Sequence, residues 1–209
     1  SMEIARIHRN LDRHHVDYVR GAACLEDPHT VAVTSEAGTR KVTGEFILIA
    51  TGSTPFHPDD IPFEDVDIDD SDTILQIDRM PTSLLVMGAG VIGCEYASMF
   101  AALGVAVTLI EPRGELLSFL DAEVSEALRV ALVALGIDVR LNQSAGHVRR
   151  VGDDIVTTLS TGEDITTDKL LYAAGRSGQT AGLGLEEVGV TMGRRGTIAV
   201  DGDYRTSVP

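Results

Sequence analysis

Three glycines and one glutamate have the types and the spacing needed to hold a phosphorylated nucleotide. Gly88, Gly90 and Gly93 stand at the spacing G-x-G-x-x-G, and Glu111 lies 21 positions after Gly90. In this pattern the first glycine permits a tight turn, the second lets the backbone approach a pyrophosphate, and the third allows close helix packing. A carboxylate at such a distance accepts hydrogen bonds from ribose hydroxyls. The glycines by themselves are also compatible with an ordinary turn and a helix crossing.

The residues around the glycines predict the elements that would position them. Residues 84–87 form a short apolar run typical of a buried strand, and residues 92–103 form an apolar, alanine-rich segment typical of a helix. Residues 105–110 predict a second strand, which ends at Glu111. The free N–H groups at the start of the helix would face an anion with the helix dipole behind them. Strand, glycine turn, helix, strand and acid in this order predict a dinucleotide-binding unit.

Composition and charge argue against several classes of function. The 209 residues are 44% hydrophobic and include 21 glycines, which predicts an α/β protein with one large domain, or one domain plus part of another. The formal net charge of −15 argues against nucleic-acid and anionic-membrane partners. No apolar run approaches the ~18 residues of a membrane span. Because no signal peptide is found either, we expect a cytoplasmic protein.

The cysteines do not predict a disulfide framework or a metal site. Cys24 and Cys94 are 70 positions apart, which matches no zinc-ligand spacing. Cys94 falls on the first turn of the predicted helix, where the dipole can lower a thiol pKa. A small packed side chain is the favoured interpretation.

The remaining segments predict a helix, two meanders and further strands. Before the glycine turn we predict an amphipathic helix at 4–19, three antiparallel strands at 22–25, 30–34 and 40–42, and a buried strand at 45–52. After Glu111 we predict a helix at 121–135 capped by Asp121 and Gly136, a strand at 137–141, a meander at 146–151, 155–159 and 164–166, and strands that start at 169 and at 197.

Five segments of the chain resemble the flavoprotein pyridine nucleotide–disulfide oxidoreductase family. They are residues 49–55, 70–75, 88–100, 117–121 and 171–180. Within that family the chain is similar to the soluble (Si-specific) pyridine nucleotide transhydrogenases, which share the run from Cys94 to Phe100 and a glycine at Gly178. The wider family usually has proline and asparagine where this chain has Gly178 and Gln179.

The resemblance implies a flavoenzyme that transfers a hydride between NADPH and NAD⁺, with NAD(H) and NADP(H) bound by this chain. FAD, which carries the redox chemistry, would be held by the complete protein and not by this chain alone, which we expect to be inactive. A complete relative also forms homo-oligomers through a further C-terminal domain. Two alternatives stay open: a disulfide reductase similar to dihydrolipoamide dehydrogenase, and a dinucleotide-binding module without catalysis.

The resemblance also implies a fold and domain boundaries. We expect a Rossmann-like, three-layer α/β domain with a parallel sheet and an antiparallel meander at 73–195, which would bind NAD(P). It would be flanked by pieces of a second, FAD-binding domain of the same plan. These pieces are the helix and meander at 1–55 and a truncated returning strand at 196–209. Residues 56–72 would be an acidic linker.

Positions that match the family's motifs give the candidate site residues. Those expected to contact the pyridine nucleotide are Gly88, Gly90, Val91, Ile92, Gly93, Glu95, Glu111, Arg113, Gly175 and Arg176, and those expected on the FAD side are Thr51 and Gly52. Glu95 would lie toward the nicotinamide, or else stabilise the helix start. Gly175 and Arg176 would pass under the nucleotide, unless Arg176 is a structural loop arginine. No residue of this chain is expected to act as a nucleophile or general base.

The acid at the end of the second strand bears on the choice of nucleotide. Glu111 favours NAD(H), because a 2′-phosphate ~4 Å from a carboxylate is repelled by about 4 kcal/mol per unit charge at a dielectric constant of ~20. Arg113, two residues later, is the candidate for holding that phosphate, with a solvated loop arginine as the alternative. Our hypothesis is that Glu111 turns away when the phosphate enters.

Overall fold

The computed structural model describes residues 2–209, and it divides the chain into two compact units. The smaller unit consists of residues up to 53 together with 178–209, and the larger one of residues 54–177. No helix within residues 2–209 is long and apolar enough to cross a membrane.

The chain forms thirteen strands and three α-helices among the described residues. In chain order these are α1 (Met2–Arg13), β1 (Ala22–Asp27), β2 (Thr30–Ser35), β3 (Gly38–Thr43), β4 (Ser53–Pro55), β5 (Ile68–Asp70), β6 (Ser83–Met87), α2 (Val91–Ala102), β7 (Ala106–Glu111), α3 (Ala122–Ala134), β8 (Asp138–Leu141), β9 (Ala145–Val151), β10 (Asp154–Leu159), β11 (Asp164–Thr167), β12 (Lys169–Tyr172) and β13 (Arg176–Gly178). Two short 3-10 helices are found at Thr73–Gln76 and Arg194–Gly196.

A five-stranded parallel sheet in the order β5-β12-β6-β7-β8 forms the centre of the larger unit. Residues 84–87 of its central strand β6 form a continuous apolar run, as expected when both faces of a parallel sheet are covered. Leu84 and Val86 pack with the helices in one apolar cluster, whereas Leu85 and Met87 pack with the meander β9–β11 in a second cluster. Helices, sheet and meander therefore form three layers, which confirms the predicted fold class.

The helix boundaries of this unit follow from local sequence signals. The carboxylate of Asp121 accepts a hydrogen bond from the N–H of Glu123 at 2.9 Å, which caps the start of α3 as predicted. Gly104 and Gly136 follow α2 and α3 with φ of 88° and 94°. Glycine reaches this left-handed region without a Cβ clash, so each ends its helix.

The smaller unit confirms the predicted antiparallel meander β1-β2-β3 but shortens the first helix. α1 ends at Arg13, whereas the apolar periodicity predicted a helix to residue 19. His15 has φ of 54°, and the N–H of Val16 donates to the carbonyl of Leu11 at 2.9 Å. The left-handed residue turns the chain out of the helix before the periodic pattern ends.

Two predicted strands of the smaller unit are wrong. Residues 45–52 form no strand, and Phe46 and Leu48 are 88% and 90% exposed. The last predicted strand is reduced to one bridge between Met192 and Ile198. An apolar run becomes a buried strand only when neighbouring strands pair with it, and no described residue pairs with 45–52 in a ladder.

The segment predicted as an acidic linker, residues 56–72, contains a strand near its end. Ile68–Asp70 is the edge strand β5, paired in parallel with β12, and all three of its residues are buried. The larger compact unit spans residues 54–177, and the assignment of residues 73–195 to a nucleotide-binding domain stays a prediction. The charge run suggested a solvated segment because the sequence did not show which cations would meet it.

Those cations come from distant parts of the same unit. Lys169, which is 3% exposed, directs its Nζ at Asp67 and Asp69, each at 3.1 Å, and at the carbonyl of Val66 at 2.9 Å. Arg79 and Arg150 complete the shell of Asp67 at 3.0 and 2.8 Å. Burial would raise the pKa of the Asp67 carboxyl, but the bonds from Arg150 and Lys169 outweigh it and the pKa lies below its usual value. The cluster attaches the edge strand to the sheet.

Removing the buried cation should destabilise the larger unit. Lys169→Met leaves Asp67 and Asp69 without this partner, and breaking a buried pair from one side costs about 3–5 kcal/mol of unfolding free energy. Urea denaturation followed by circular dichroism measures this loss. The control is Arg129→Met, which breaks an exposed pair with Glu126 on α3 and should cost at most about 1 kcal/mol. Equal effects of the two substitutions would contradict the role of Lys169.

Candidate dinucleotide-binding site

The glycine turn lies between β6 and α2, at the carboxyl ends of the parallel strands. Gly88 has φ of 102°, and a Cβ added there would lie 2.9 Å from the Cα of Ala174. Its N–H donates to the carbonyl of Ile110 at 2.9 Å. Glycine is required here both by the backbone conformation and by the approach of the chain after β12.

The other two glycines of the motif have opposite surroundings. A Cβ on Gly93 would overlap the carbonyl oxygen of Gly88, so this glycine allows α2 to pack against the turn. A Cβ on Gly90 would meet nothing within 4 Å. The space beside Gly90 is therefore open to a ligand, whereas the space at Gly93 is filled by the protein itself. This division matches the roles expected from the sequence.

The start of α2 offers unpaired hydrogen-bond donors. Gly90 is the N-cap residue, and among residues 2–209 no side chain caps this helix end. The first N–H groups of a helix have no partner within the helix, and they carry the positive end of its dipole. An anion bound next to Gly90 would therefore receive both interactions.

A groove of about 460 Å³ adjoins this helix end. It is lined by Gly88, Gly90, Val91, Ile92, Glu111, Pro112, Arg113, Ala173, Ala174 and Gly175. The structure therefore brings together most of the residues predicted from the motif. Gly175 joins them because β12 pairs with β6 in parallel, so that their carboxyl ends meet.

Glu111 is buried at the wall of the groove, with only 2% of its surface exposed. Its carboxylate accepts hydrogen bonds from the N–H of Ala89 at 2.8 Å and from the N–H and Nε of Arg113 at 3.1 and 2.7 Å. Burial would raise the pKa of this carboxyl, but the bonds from Arg113 and Ala89 outweigh it, so the pKa is lowered. Glu111 is therefore a fixed anion.

Arg113 is the more exposed partner of the pair. Its side chain is 55% exposed, whereas that of Glu111 is 3% exposed. Besides Glu111, it donates from Nη1 to the hydroxyl of Ser118 at 2.7 Å. These contacts disagree with the hypothesis that Glu111 turns away, because that movement would leave the Ala89 N–H without its buried acceptor. Arg113 is the group that is free to leave.

Besides Gly93, two predicted contact residues lie outside the lining of the groove. Glu95 is exposed on α2 and lies past the first turn of the helix, which contains no acidic residue. Arg176 donates from Nη1 to Ser71 at 3.2 Å and to Asp72 at 3.4 Å, so it binds the segment after β5. Their predicted roles toward the nucleotide stay predictions.

Thr51 and Gly52 belong to the smaller unit. Both are exposed, and the carbonyl of Gly52 accepts a hydrogen bond from the N–H of Gln179 at 3.0 Å. Their expected role on the FAD side also stays a prediction.

A second cavity of about 240 Å³ shares Gly88, Pro112 and Ala174 with the groove. Its wall includes the apolar side chains Ile61, Met87, Ile110 and Tyr172. It also includes residues 143–147, which span the loop after β8 and the start of β9. The groove and this cavity are therefore adjacent, and Glu111 precedes the proline that lines both.

Comparison with known proteins agrees with this geometry. The family described as pyridine nucleotide-disulphide oxidoreductase matches residues 3–209. The chain belongs to this family. The resemblance predicted from the motifs is confirmed over nearly the whole sequence.

Relatives of the chain include soluble pyridine nucleotide transhydrogenases. Those of Pseudomonas entomophila and Pseudomonas aeruginosa are 46% and 45% identical over 198 residues, which is 94% of this chain. The chain spans 43% and 42% of their lengths. The chain is thus similar to less than half of each relative.

Solved structures of the same family superimpose on the chain. The HOCl-induced flavoprotein disulfide reductase RclA from Escherichia coli has a TM-score of 0.81 at 27% identity, covering 99% of this chain and 48% of its own. LpdA from Mycobacterium tuberculosis has a TM-score of 0.85 at 28% identity, covering 98% of this chain and 46% of its own.

Some lining residues of this family member were not found from the sequence. Pro112, Ala173 and Ala174 line the groove because they follow the carboxyl ends of parallel strands. Ligands of α/β proteins bind at these ends, and this rule could have identified the three residues. Ser118 was missed although it lies in the segment 117–121 that resembles the family. Its contact with Arg113 depends on the fold of the loop, which no local pattern specifies.

Cys94 is a packed side chain, as the favoured interpretation had it. It is 6% exposed, and its Sγ lies 3.6 Å from the carbonyl oxygen of Ala89. Burial and the nearby charges of Glu111 and Glu95 raise its thiol pKa to about 11. The helix dipole does not make it reactive.

The raised pKa predicts slow modification of this thiol. In a Cys24→Ser variant, Cys94 should react with a disulfide reagent at pH 8 about a hundredfold more slowly in the folded protein than in urea, because few thiolates form. Absorbance of the released thiolate measures both rates. The Cys94→Ser variant is the control, since it reports the half-buried Cys24 alone. Equal rates for Cys94 with and without urea would contradict its burial.

Proposed function

We propose that the groove binds the pyrophosphate and adenosine ribose of NAD(H) and NADP(H). We further propose that the complete polypeptide transfers a hydride between NADPH and NAD⁺ through bound FAD. The observation that carries this proposal is the open space beside Gly90. There an uncapped helix start and a fixed carboxylate line one cavity.

Several residues of the groove and of the adjacent cavity would contact the nucleotide. The N–H groups of Val91 and Ile92 bind the pyrophosphate, and Glu111 accepts hydrogen bonds from the adenosine ribose. Arg113 pairs with the 2′-phosphate of NADP(H). The adenine ring lies in the adjacent apolar cavity beyond Pro112, where Tyr172 and Ile110 cover it.

The flavin belongs to the complete protein. Bound to the complete protein, FAD would supply the redox chemistry for hydride transfer between the two nucleotides. Thr51 and Gly52, the residues expected on the FAD side, are exposed in the smaller unit.

Location and assembly are further parts of the proposal. Both cysteines are free thiols, as is usual in a reducing compartment, which supports a cytoplasmic location. The proposal of a homo-oligomer is based on the family resemblance alone. The subunits of the complete protein would associate through a further C-terminal domain.

A disulfide reductase is the second candidate, favoured by the names of the structural neighbours. Such an enzyme needs a pair of reactive cysteines. Cys94 is buried and has a raised pKa, so it does not provide a reactive thiol. The 45–46% identity to named transhydrogenases supports the first proposal over this one.

Substitution of one open glycine tests the groove. Gly90→Ala puts a methyl group into the space proposed for the pyrophosphate without meeting protein atoms. We expect an unchanged melting temperature and about a tenfold loss of affinity for both NADH and NADPH, comparable to losing one charge-assisted hydrogen bond. Calorimetric titration of the full chain measures this. Gly202→Ala, equally free of contacts, is the control, and unchanged affinity in Gly90→Ala would reject the groove as the site.

The activity is tested on the complete protein with FAD bound. NADPH and thio-NAD⁺ are mixed with the enzyme, and we expect an increase in thio-NADH absorbance that requires both nucleotides. A disulfide reductase would instead oxidise NADPH when a disulfide substrate is added. A binding module would show neither reaction. Either of the last two results would contradict the proposed hydride transfer.

A further inference from the structure

The carboxylate of Glu111 has no hydrogen-bonding capacity left for a ligand. Its Oε1 accepts from the N–H and the Nε of Arg113 at 3.1 and 2.7 Å. Its Oε2 accepts from the N–H of Ala89 at 2.8 Å and from the Nη2 of Arg113 at 3.3 Å. A carboxylate offers about four lone-pair sites, so all of them are used. A ribose hydroxyl can bind only after one donor has left.

The four donors differ in their ability to leave. The N–H of Ala89 belongs to a residue that is 0% exposed, and its carbonyl is held by the N–H of Leu117 at 3.1 Å. The N–H of Arg113 is part of the chain that follows β7. The other two bonds come from the guanidinium of Arg113, whose side chain is 55% exposed. The guanidinium therefore occupies the two positions that a ribose needs.

Ser118 keeps the guanidinium in this position. Its hydroxyl accepts a hydrogen bond from Nη1 of Arg113 at 2.7 Å. Leu117, the preceding residue, has φ of 44° and donates its N–H to Ala89. The loop that carries Ser118 is thus attached to the glycine turn, and Ser118 is a positioning residue for Arg113.

We propose that the side chain of Arg113, held by Ser118, competes with the adenosine ribose for Glu111 and thereby sets the preference between NAD(H) and NADP(H). This inference rests on the proposed binding of both nucleotides in the groove. It differs from a simple 2′-phosphate contact because it gives the same arginine an unfavourable effect on one nucleotide and a favourable effect on the other.

This competition affects the binding of NADH and of NADPH in different ways. When NADH binds, its ribose hydroxyls replace the guanidinium at Glu111, and the displaced cation gains no new partner. When NADPH binds, the displaced guanidinium pairs with the 2′-phosphate and lies between that phosphate and Glu111. It then reduces the repulsion between the two anions. Arg113 therefore weakens NADH binding and strengthens NADPH binding.

The experiment measures the dissociation constants of NADH and NADPH for the full chain by fluorescence titration. In Arg113→Ala we expect NADH to bind about two- to fivefold more tightly, because the bonds of the half-exposed Arg113 guanidinium to Glu111 no longer have to be broken. NADPH should bind about tenfold more weakly, because a charge-assisted contact is lost. In Ser118→Ala the guanidinium leaves Glu111 more easily, so NADH should bind about twofold more tightly without loss of NADPH affinity.

A matched control removes the same charge elsewhere. Arg129 lies on α3 and pairs with the carboxylate of Glu126 outside the groove. Arg129→Ala should leave the ratio of the two dissociation constants unchanged, which separates local competition from the change in net charge. Melting temperatures of all variants show whether the fold is retained.

Three results would overturn the proposal. If Arg113→Ala weakens the binding of NADH and NADPH equally, Arg113 is an ordinary contact residue. The proposed function would stand in that case. Tighter NADH binding in Arg113→Ala but not in Ser118→Ala would remove Ser118 from the mechanism. Failure of the unsubstituted chain to bind either nucleotide would reject the proposed function, and this inference with it.

Discussion

The hydrogen bond from the N–H of Ala89 to the carboxylate of Glu111 is the contact on which the site depends. It joins the turn after β6 to the end of β7, two positions that are adjacent only because the strands pair in parallel. The carbonyl of Ala89 is held from the other side by Leu117. With both polar groups of Ala89 bonded, the turn keeps its form before any ligand arrives. Such preorganisation reduces the cost of binding.

A buried carboxylate needs partners, and the chain provides them locally at this edge of the sheet. Arg113, only two residues later, places a positive charge beside Glu111, so the carboxylate remains ionised inside the protein. The same physical requirement appears at the edge strand β5. There Asp67 and Asp69 are paired with Lys169, about a hundred positions away in sequence. In both places burial of an anion is accompanied by close, hydrogen-bonded cations.

The difference between these two clusters explains what could be predicted from the sequence and what could not. The pair at Glu111 and Arg113 lies within one motif, so its residues were recognised together. The partners of the acidic segment lie on β12, on β9 and before β6, and no local pattern links them. The segment therefore looked like a solvated linker. Whether an acid is solvated or buried is decided by the distant groups that surround it.

The apolar strands show the same limit. The run at Ser83–Met87 was recognised from composition alone, and its side chains then alternate between the helical layer and the meander layer. Residues 45–52 are equally apolar, yet Phe46 and Leu48 are exposed, since no described residue pairs with them in a ladder. An apolar run shows that burial is favourable. It does not supply the neighbour that buries it.

The sequence by itself determined the order of elements around the glycine turn, the division of work among Gly88, Gly90 and Gly93, and the family. These properties depend on residues close together in the chain, where a missing Cβ or a cap acts directly on the backbone. The tertiary structure alone decided that Glu111 is buried and Arg113 exposed, that Ser118 contacts Arg113, and that residues 68–70 of the acidic segment form an edge strand. Each of these outcomes is set by contacts between side chains brought together by folding, because exposure and available hydrogen-bond partners are properties of the folded chain.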